Sequence, residues 1–284
     1  MRSFLVRVAL LFLSVILLTI VGYGQQRPLV TEDVDIVKPG NIRVQVGFDL
    51  DQKQRFGLSG LSGDVTKIGD IGVYFGMSPN VQFEITGTIR EYLNIETRGV
   101  SAIPLNIGSS SNTHDVGDFT LSAKFKLTKE TEHIPAFGFR FGVQLPNSDQ
   151  AKGIGTNTTN AFGMVLAEKH FFNDRLNTFG NVGVAILTNP LSGTSQNDVI
   201  LYGAAAIVKI TDRFNVVGEV NGRHSTRTPP PGTESLGEAR IGFQLKAAGL
   251  QWDSAFIKGY TPFSPRYGFT LGVSSDFQAF KPVQ

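Results

Sequence analysis

The chain has 284 residues, of which 41% are hydrophobic and only 18% are charged, and it contains 32 glycines and no cysteine. Without cysteine, structural disulfides, thiolate metal sites and cysteine catalysis are excluded. The 26 lysines and arginines nearly balance the 24 aspartates and glutamates, so the chain lacks the net basic charge that nucleic-acid binding requires.

The N-terminal residues have the pattern of a secretory signal peptide. Two arginines precede a 14-residue apolar run at 8–21, and small residues follow at Gly22 and Gly24. We therefore predict a signal peptide at 1–24, cleaved before Gln25 to leave a mature chain of about 260 residues. The alternative is an uncleaved anchor, but the run is shorter than the roughly 20 residues of a helix that spans a bilayer.

A period of two begins at Asn41 and recurs along the rest of the chain. In 41–50 the apolar residues lie on one face and the polar residues and glycine on the other, which is typical of a β-strand. Most of the alternating segments have about the 9–11 residues that a tilted membrane strand requires. The twelve predicted strands are 41–50, 68–77, 81–92, 116–127, 134–145, 160–170, 177–188, 198–210, 213–223, 235–247, 249–259 and 266–277. Residues 25–40 are predicted as a periplasmic N-terminal segment, and the sequence leaves open whether they plug the interior from below.

The connections between the predicted strands alternate in length. Tight turns are predicted at 78–80, 128–133, 171–176, 211–212 and near 248. The other joins are mostly longer and rich in Gly, Ser, Asn, Thr and Pro, and they lie at 51–67, 93–115, 146–159, 189–197, 224–234 and 260–265. Short periplasmic turns and long external loops are typical of a bacterial outer-membrane barrel. An even strand count then places both ends of the barrel in the periplasm.

We therefore predict an all-β fold, an antiparallel transmembrane β-barrel of about 12 strands in the outer membrane of a Gram-negative-type bacterium. A soluble β-sandwich also alternates apolar and polar residues, but nothing in that fold makes loop length alternate by side. The barrel is predicted to cover 41–277, because Phe277 continues the outward phase of Phe269 and Leu271. Residues 278–284 are predicted as a short C-terminal tail.

Several short motifs resemble one family of outer-membrane proteins. They are Arg27-Pro28-Leu29-Val30-Thr31-Glu32-Asp33, Lys38-Pro39-Gly40, Gly117-Asp118-Phe119, Leu145-Pro146 and Gly153-Ile154-Gly155-Thr156. Together they resemble the outer-membrane family labelled as belonging to the meta-cleavage pathway of phenol degradation, and the resemblance covers most of the mature chain. It implies an outer-membrane β-barrel that transports aromatic or other hydrophobic small molecules. The family offers no catalytic motif to carry over.

In a membrane barrel the polar face of each strand lines the lumen. That face carries nine candidate lumen residues of both signs, which are Arg43, Glu84, Arg90, Asp118, Lys124, Arg140, Glu219, Glu238 and Arg240. Charges away from water are tolerated when they are paired, so we predict ion-pair networks rather than the one-sign ring of a strongly selective pore. Two roles stay open for them, stabilisation of a narrow interior and contact with a solute.

The strands predicted at 160–170, 177–188, 198–210 and 213–223 carry apolar residues in both phases. One phase must face the lumen, so these strands are predicted to form an apolar strip opposite the charged wall, interrupted by Glu219. Such a lumen suits an amphipathic or aromatic solute better than a simple ion. The alternative is that these residues serve only close packing.

We therefore predict a channel or transporter for small hydrophobic or aromatic compounds, surrounded by outer-membrane lipid, with no nucleic-acid partner and no cofactor. A structural or adhesive barrel with binding loops is the alternative, and the oligomeric state is open in both cases. An enzyme, such as a barrel lipid hydrolase, is not expected. The histidines are scattered, at His114, His133, His170 and His224, and form neither a nucleophile–base pattern nor the spacing of metal ligands.

Overall fold

A computed structural model describes residues 27–281, so the predicted signal peptide lies outside the described residues. The described chain forms thirteen β-strands and one short 3-10 helix at Gln150–Lys152. The strands are β1 (Asn41–Arg55), β2 (Leu61–Ser78), β3 (Val81–Arg98), β4 (Asn112–Asp115), β5 (Thr120–Lys126), β6 (Ala136–Gln144), β7 (Asn160–Phe171), β8 (Leu176–Thr188), β9 (Gln196–Lys209), β10 (Phe214–Ser225), β11 (Leu236–Ala247), β12 (Leu250–Gly259) and β13 (Tyr267–Gln278). Between residues 27 and 281, no helix is long and apolar enough to cross a membrane.

Twelve of these strands close into one antiparallel barrel, which confirms the predicted fold class and strand number. The ring is completed where β1 pairs with β13, from Asn41–Gln278 to Gln52–Tyr267. The short β4 is additional to the ring and pairs with the outer part of β3, whereas the inner part of β3 pairs with β5. A closed ring has no free sheet edge on which other chains can add strands.

The outer surface of the barrel is apolar, whereas the inward face of strands such as β1 is polar. On β1, Val46 and Leu50 are 43% and 42% exposed, whereas Gln45 and Asp49 are 2% and 8% exposed. The same outward exposure of apolar side chains recurs around the ring, at Phe83, Leu121, Phe139, Val165, Val184, Ile200, Val220, Ile241, Phe256 and Phe269. A soluble sandwich buries its apolar face, so this arrangement rules out that alternative and matches a lipid-facing barrel.

The first hairpin extends further than the sequence predicts. A loop is predicted at 51–67, but β1 continues to Arg55 and β2 already begins at Leu61. The sequence pattern misses this extension because of a β-bulge at Gly69. This residue has a φ of +68° and is left unpaired where the β1–β2 register shifts. One extra residue reverses the alternation of side chains, so the outer half of β2 does not continue the phase of its inner half.

The segment between β3 and β5 also differs from its prediction. β3 continues to Arg98 and β4 lies within the predicted loop, whereas the strand predicted at 116–127 begins only at Thr120. Asp118 explains the late start, because its carboxylate accepts hydrogen bonds from the amide of Ser148 and the side chain of Gln144, both at 2.8 Å. Such bonds to a neighbouring loop compete with strand pairing, so Asp118 anchors a loop at the rim of the barrel.

Beyond the outer rim of the barrel, the side chains that face inward are apolar rather than polar. The extended ends of β2 and β3 bury an apolar group, the outer cluster, that consists of Leu61, Val65, Leu93 and Ile154. Phe56, Ile95, Leu105 and Ile107 pack around it. The long loops therefore have a small core of their own, outside the part of the barrel that has an apolar surface.

We expect Leu93→Ala to loosen the outer cluster without opening the barrel. Leu93 is 0% exposed, and truncating a buried leucine to alanine lowers the free energy of unfolding by about 2–5 kcal/mol. Trypsin should then cleave the folded protein faster after Arg98. The barrel itself should stay folded, so that in detergent gels the unheated variant still migrates differently from the heated one. Val100→Ala, at a position that is 94% exposed, is the control and should leave the digestion rate unchanged. Equal digestion rates in wild type and Leu93→Ala would contradict this role.

Candidate functional site

The residues ahead of β1 lie inside the barrel. The segment predicted as periplasmic at 25–40 runs within the lumen from Arg27 onward, and we call residues 27–40 the plug. Its lower end is fixed at Gly40, whose amide donates to Gly76 at 2.8 Å and whose carbonyl accepts from the amide of Ala279 at 2.9 Å. The plug thus enters the barrel from the end that carries the short turns.

The upper end of the plug is held by aspartates from three strands. The Arg27 guanidinium donates to Asp70, and it lies 3.6 Å from Asp49 and 3.4 Å from Asp253. The wall leaves space for it at Gly47, where an added Cβ would lie only 2.3 Å from the guanidinium. Breaking a buried ion pair leaves an uncompensated charge, at a cost of about 3–5 kcal/mol, so Arg27 is a strong anchor.

The main chain of the plug is bonded to side chains of the wall. The two carboxylate oxygens of Glu219 accept from the amides of Val30 and Thr31, each at 2.8 Å. Asn181 exchanges two hydrogen bonds of 2.7 Å with the main-chain amide and carbonyl of Glu32. Two further plug amides donate to the wall, in the pairs Val34–Glu168 and Val37–Gln82. Buried amides require partners, so the wall side chains take the place that a neighbouring strand would have.

Acidic side chains of the plug meet basic side chains of β5 and β6. Asp33 lies 2.9 Å from Lys124, and Glu32 lies 3.3 Å from Arg140. Arg140 also donates to Glu84 at 2.7 Å. The mixed-sign network expected from the sequence is therefore present, and the plug supplies part of its negative charge.

Three other candidate lumen residues form pairs of their own. Arg43 makes two hydrogen bonds of 2.6 Å to Asp276 near the periplasmic rim. Arg240 pairs with Glu238 at 2.9 Å and donates to the carbonyl of Pro28 at 3.1 Å. Arg240 thus belongs to the surroundings of the plug, whereas Arg43 stabilises the seam between β1 and β13.

Arg90 is not brought into this network. It pairs with Ile68, which is 47% exposed on the outer surface, and it forms no ion pair with any residue in the described range 27–281. Its neighbour Glu91 lines a cavity of the interior instead. The bulge at Gly69 is the cause, because it shifts the alternation near the outer ends of the strands, and the phase that holds for Glu84 no longer holds for Arg90.

The residues that bind Arg27 are missing from the sequence prediction. Asp70 lies next to the bulge at Gly69, and Asp253 lies on β12, whose apolar residues do not alternate cleanly. Asp49 is in the polar phase of β1 and points to the lumen. The available signal is this inward carboxylate, because a charge held away from water needs a positively charged partner.

The apolar strip on β7 to β10 faces the lumen, and the plug covers part of it. Leu29 packs against Phe179, Ala205 and Val217. Val34, which is fully buried, packs against Ala136 and Leu166. The uncovered part of the strip forms a second cluster, which consists of Phe162, Ala185, Leu187, Val199 and Leu201.

An open chamber lies between the upper part of the plug and the wall. It has a volume of about 500 Å³, with Phe162 and Leu187 on an apolar side and Arg140 among its polar lining. Two further cavities of about 330 Å³ each extend it, a vestibule towards the outer loops and a side pocket between β9 and β11. Arg223 of β10 lines all three. Small-molecule sites commonly measure about 300–1,000 Å³, so the chamber has the size of such a site.

The histidines lie apart from this chamber. His170 bonds Glu130 at 2.7 Å at the short-turn end, and His114 packs on the ring of Tyr92 near the loops. Partial burial opposes ionisation of Glu130, but hydrogen bonds from Lys169 and His170 outweigh it and lower the pKa of this carboxyl to about 2. Residues 27–281 contain no group of three or more histidines and acids that could hold a metal ion.

The fold is that of outer-membrane channels of known structure. An outer-membrane channel from Pseudomonas putida F1 superposes with a TM-score of 0.62 and 11% identity, covering 86% of this chain and 98% of that chain. The NanC porin superposes with a TM-score of 0.50 and 11% identity, covering 82% of this chain and 98% of that chain. At this identity the likeness concerns the fold.

Neither a protein-family model nor a curated protein matches the sequence. The structural likeness supports the outer-membrane barrel that the family resemblance implies. The label of phenol degradation stays a prediction, because it depends on short sequence motifs alone.

Proposed function

We propose that this chain is an outer-membrane channel for small hydrophobic or aromatic compounds, closed by its own N-terminal segment. The observation that carries the proposal is the two-sided chamber above the plug, with an apolar strip on one side and paired charges on the other. An apolar wall with a few polar groups is typical of sites that bind small organic molecules. A conduit for ions alone would have no use for such a strip.

We propose further that the protein is exported after removal of residues 1–24 and resides in the outer membrane of a Gram-negative-type bacterium. The apolar outer surface, the short turns at one end and the shared fold support this location. The long loops then face outward, and Ala279, which follows β13, lies on the periplasmic side where it bonds Gly40.

Passage through this barrel requires the plug to move. The plug forms hydrogen bonds and ion pairs with eleven strands of the wall, among them contacts to Asp70 on β2, Lys124 on β5 and Glu219 on β10. We therefore propose a closed state and an open state, which differ in the position of residues 27–40.

A structural or adhesive barrel is the second candidate. The observation that favours it is the plug itself, because a lumen filled by hydrogen bonds and ion pairs is also what a barrel without a transport path would contain. Its function would then belong to the long loops. The two candidates differ in whether substitutions in the chamber change uptake.

Blocking the chamber is expected to abolish uptake. Ala185 faces the chamber and its neighbour Val184 faces outward, with exposed fractions of 5% and 52%. Ala185→Trp places a large ring in the path, so intact cells that produce this variant should take up radiolabelled toluene no faster than cells without the protein. Val184→Trp adds the same ring on the lipid side and should match wild type. If wild type adds nothing to the uptake of cells without the protein, the proposed function fails.

A further inference from the structure

We propose that the chamber recognises amphipathic organic anions, with the guanidinium of Arg223 binding a carboxylate and the apolar strip receiving the rest of the molecule. This inference deepens the proposed function and rests on it. It names one class among small organic compounds, the monocarboxylates with an apolar body.

Arg223 is oriented by neutral groups. Its Nε donates to the carbonyl of Glu234 at 2.8 Å, and its Nη2 lies 3.5 Å from the carbonyl of Gly232. The carboxylate of Glu234 is directed elsewhere, and accepts from the amide of Gly232 at 2.9 Å. These contacts fix the guanidinium, and no carboxylate of residues 27–281 lies within ion-pairing distance of it, so its charge is balanced only partly, by the more distant carboxylate of Glu234.

The other arginines of the chamber are neutralised. Arg27 contacts Asp70 and Asp253, Arg140 contacts Glu32 and Glu84, and Arg240 contacts Glu238. Arg223 is thus the arginine of this lining whose charge a ligand can balance. A guanidinium binds a carboxylate through two parallel hydrogen bonds. It therefore binds a carboxylate more tightly than a neutral amide or alcohol.

A second donor points to the same ligand class. Asn221 lies two residues before Arg223 on the inward face of β10, and both line the side pocket. The Nδ2 of Asn221 is buried and has no hydrogen-bond partner within residues 27–281. Buried donors are rarely left unpaired, so an acceptor oxygen brought by a ligand would satisfy it.

The apolar half of the ligand has a surface to contact. Leu187 lines the chamber and the vestibule together with Arg223, and Leu201 lines the chamber and the side pocket together with Arg223. Phe162 completes this face, although Arg140 already lies 5.2 Å from its ring centroid. A chamber of about 500 Å³ admits a substituted aromatic acid or a medium-length alkyl acid rather than a large lipid.

The test compares an acid with its neutral analogue. We would titrate the refolded protein in lipid nanodiscs with 4-tert-butylbenzoate and with 4-tert-butylbenzamide by calorimetry. The acid should bind more tightly than the amide, and Arg223→Gln should weaken the acid roughly 10- to 100-fold, as loss of hydrogen bonds to a charged group does. Affinity for the amide should stay unchanged. Arg223→Lys, which keeps the charge without the planar fork, should lie between the two.

Arg90→Gln is the matched control, because Arg90 lies on the outer surface and should not affect either ligand. Equal affinities of acid and amide for wild type, or an unchanged acid affinity in folded Arg223→Gln, would overturn the anion site. So would the absence of binding of both probes. Because these titrations measure binding without transport, the site can fail while toluene uptake persists, or hold while uptake is absent, and the two proposals are separated.

Discussion

Deletion of residues 27–36 is expected to turn a closed barrel into a conducting one. These residues carry the Arg27 anchor, the two amides bonded to Glu219 and the acids bonded to Lys124 and Arg140. Residues 37–40 would remain, with their bonds to Gln82 and Gly76, so the start of β1 is unchanged. In a planar bilayer, wild type should show no stable open step, and the deletion variant should show one of uniform size.

The same preparation supplies its own control. A synthetic peptide with the sequence of residues 27–36 should close the open step when added to the deletion variant, because the wall residues that bind it are still present. A peptide of the same composition in scrambled order should not. A stable open step in wild type would show that the plug does not close the lumen. No step in a folded deletion variant would favour the structural barrel.

Neutralising Glu219 is expected to release the plug without deleting it. Each of its oxygens accepts a hydrogen bond from one plug amide. A hydrogen bond to a charged group contributes about 1.5–3 kcal/mol to the stability of the contact. Glu219→Gln keeps the size of the side chain, but offers an NH2 group where one amide needs an acceptor. The chain contains no cysteine, so Thr31→Cys provides a single reactive thiol. Its labelling by a bulky maleimide should become roughly 10- to 100-fold faster in the Glu219→Gln background.

Glu91→Gln is the matched control for this experiment. Glu91 is also a lumenal carboxylate, but it lines the vestibule rather than the plug. Thr31→Cys should therefore be labelled at the same slow rate with and without Glu91→Gln. Equal rates in the Glu219→Gln and Glu91→Gln backgrounds would show that Glu219 does not hold the plug.

The barrel itself could be predicted because its information is local. Alternation over about ten residues fixes which face of a strand meets lipid, and loop length fixes which end carries the turns. The predicted strands therefore recur in the structure from Asn160 to Gln278 with boundaries that differ by only a few residues. The apolar strip follows from the same rule, because β7 to β10 are apolar in both phases.

The first three strands show where this rule ends. It assumes an unbroken period, and the bulge at Gly69 breaks it in β2. Leu61 and Val65 then face inward as part of the outer cluster, although the sequence predicts a loop. The placement of Arg90 fails for the same reason.

The plug could not be placed from sequence because its information is not local. Its residues bind positions that lie far along the chain, such as Asp253 for Arg27 and Glu219 for Thr31. The segment has neither the period of a strand nor that of a helix, so no pattern within it reports its partners. Only the closed barrel brings those wall residues to one place, and its register is known only from the structure.

The plug also bears on the order in which the molecule assembles. β1 and β13 come from opposite ends of the barrel sequence, so the pairing between them closes the longest loop of the chain and is the costliest in entropy. Arg27 lies across that junction on the inside, near Asp49 of β1 and bonded to Thr270 of β13 at 2.6 Å. Gly40 does the same at the base, between Gly76 and Ala279. The first residues of the described chain therefore bridge the pairing that closes the ring, and they stabilise the finished barrel against opening between β1 and β13.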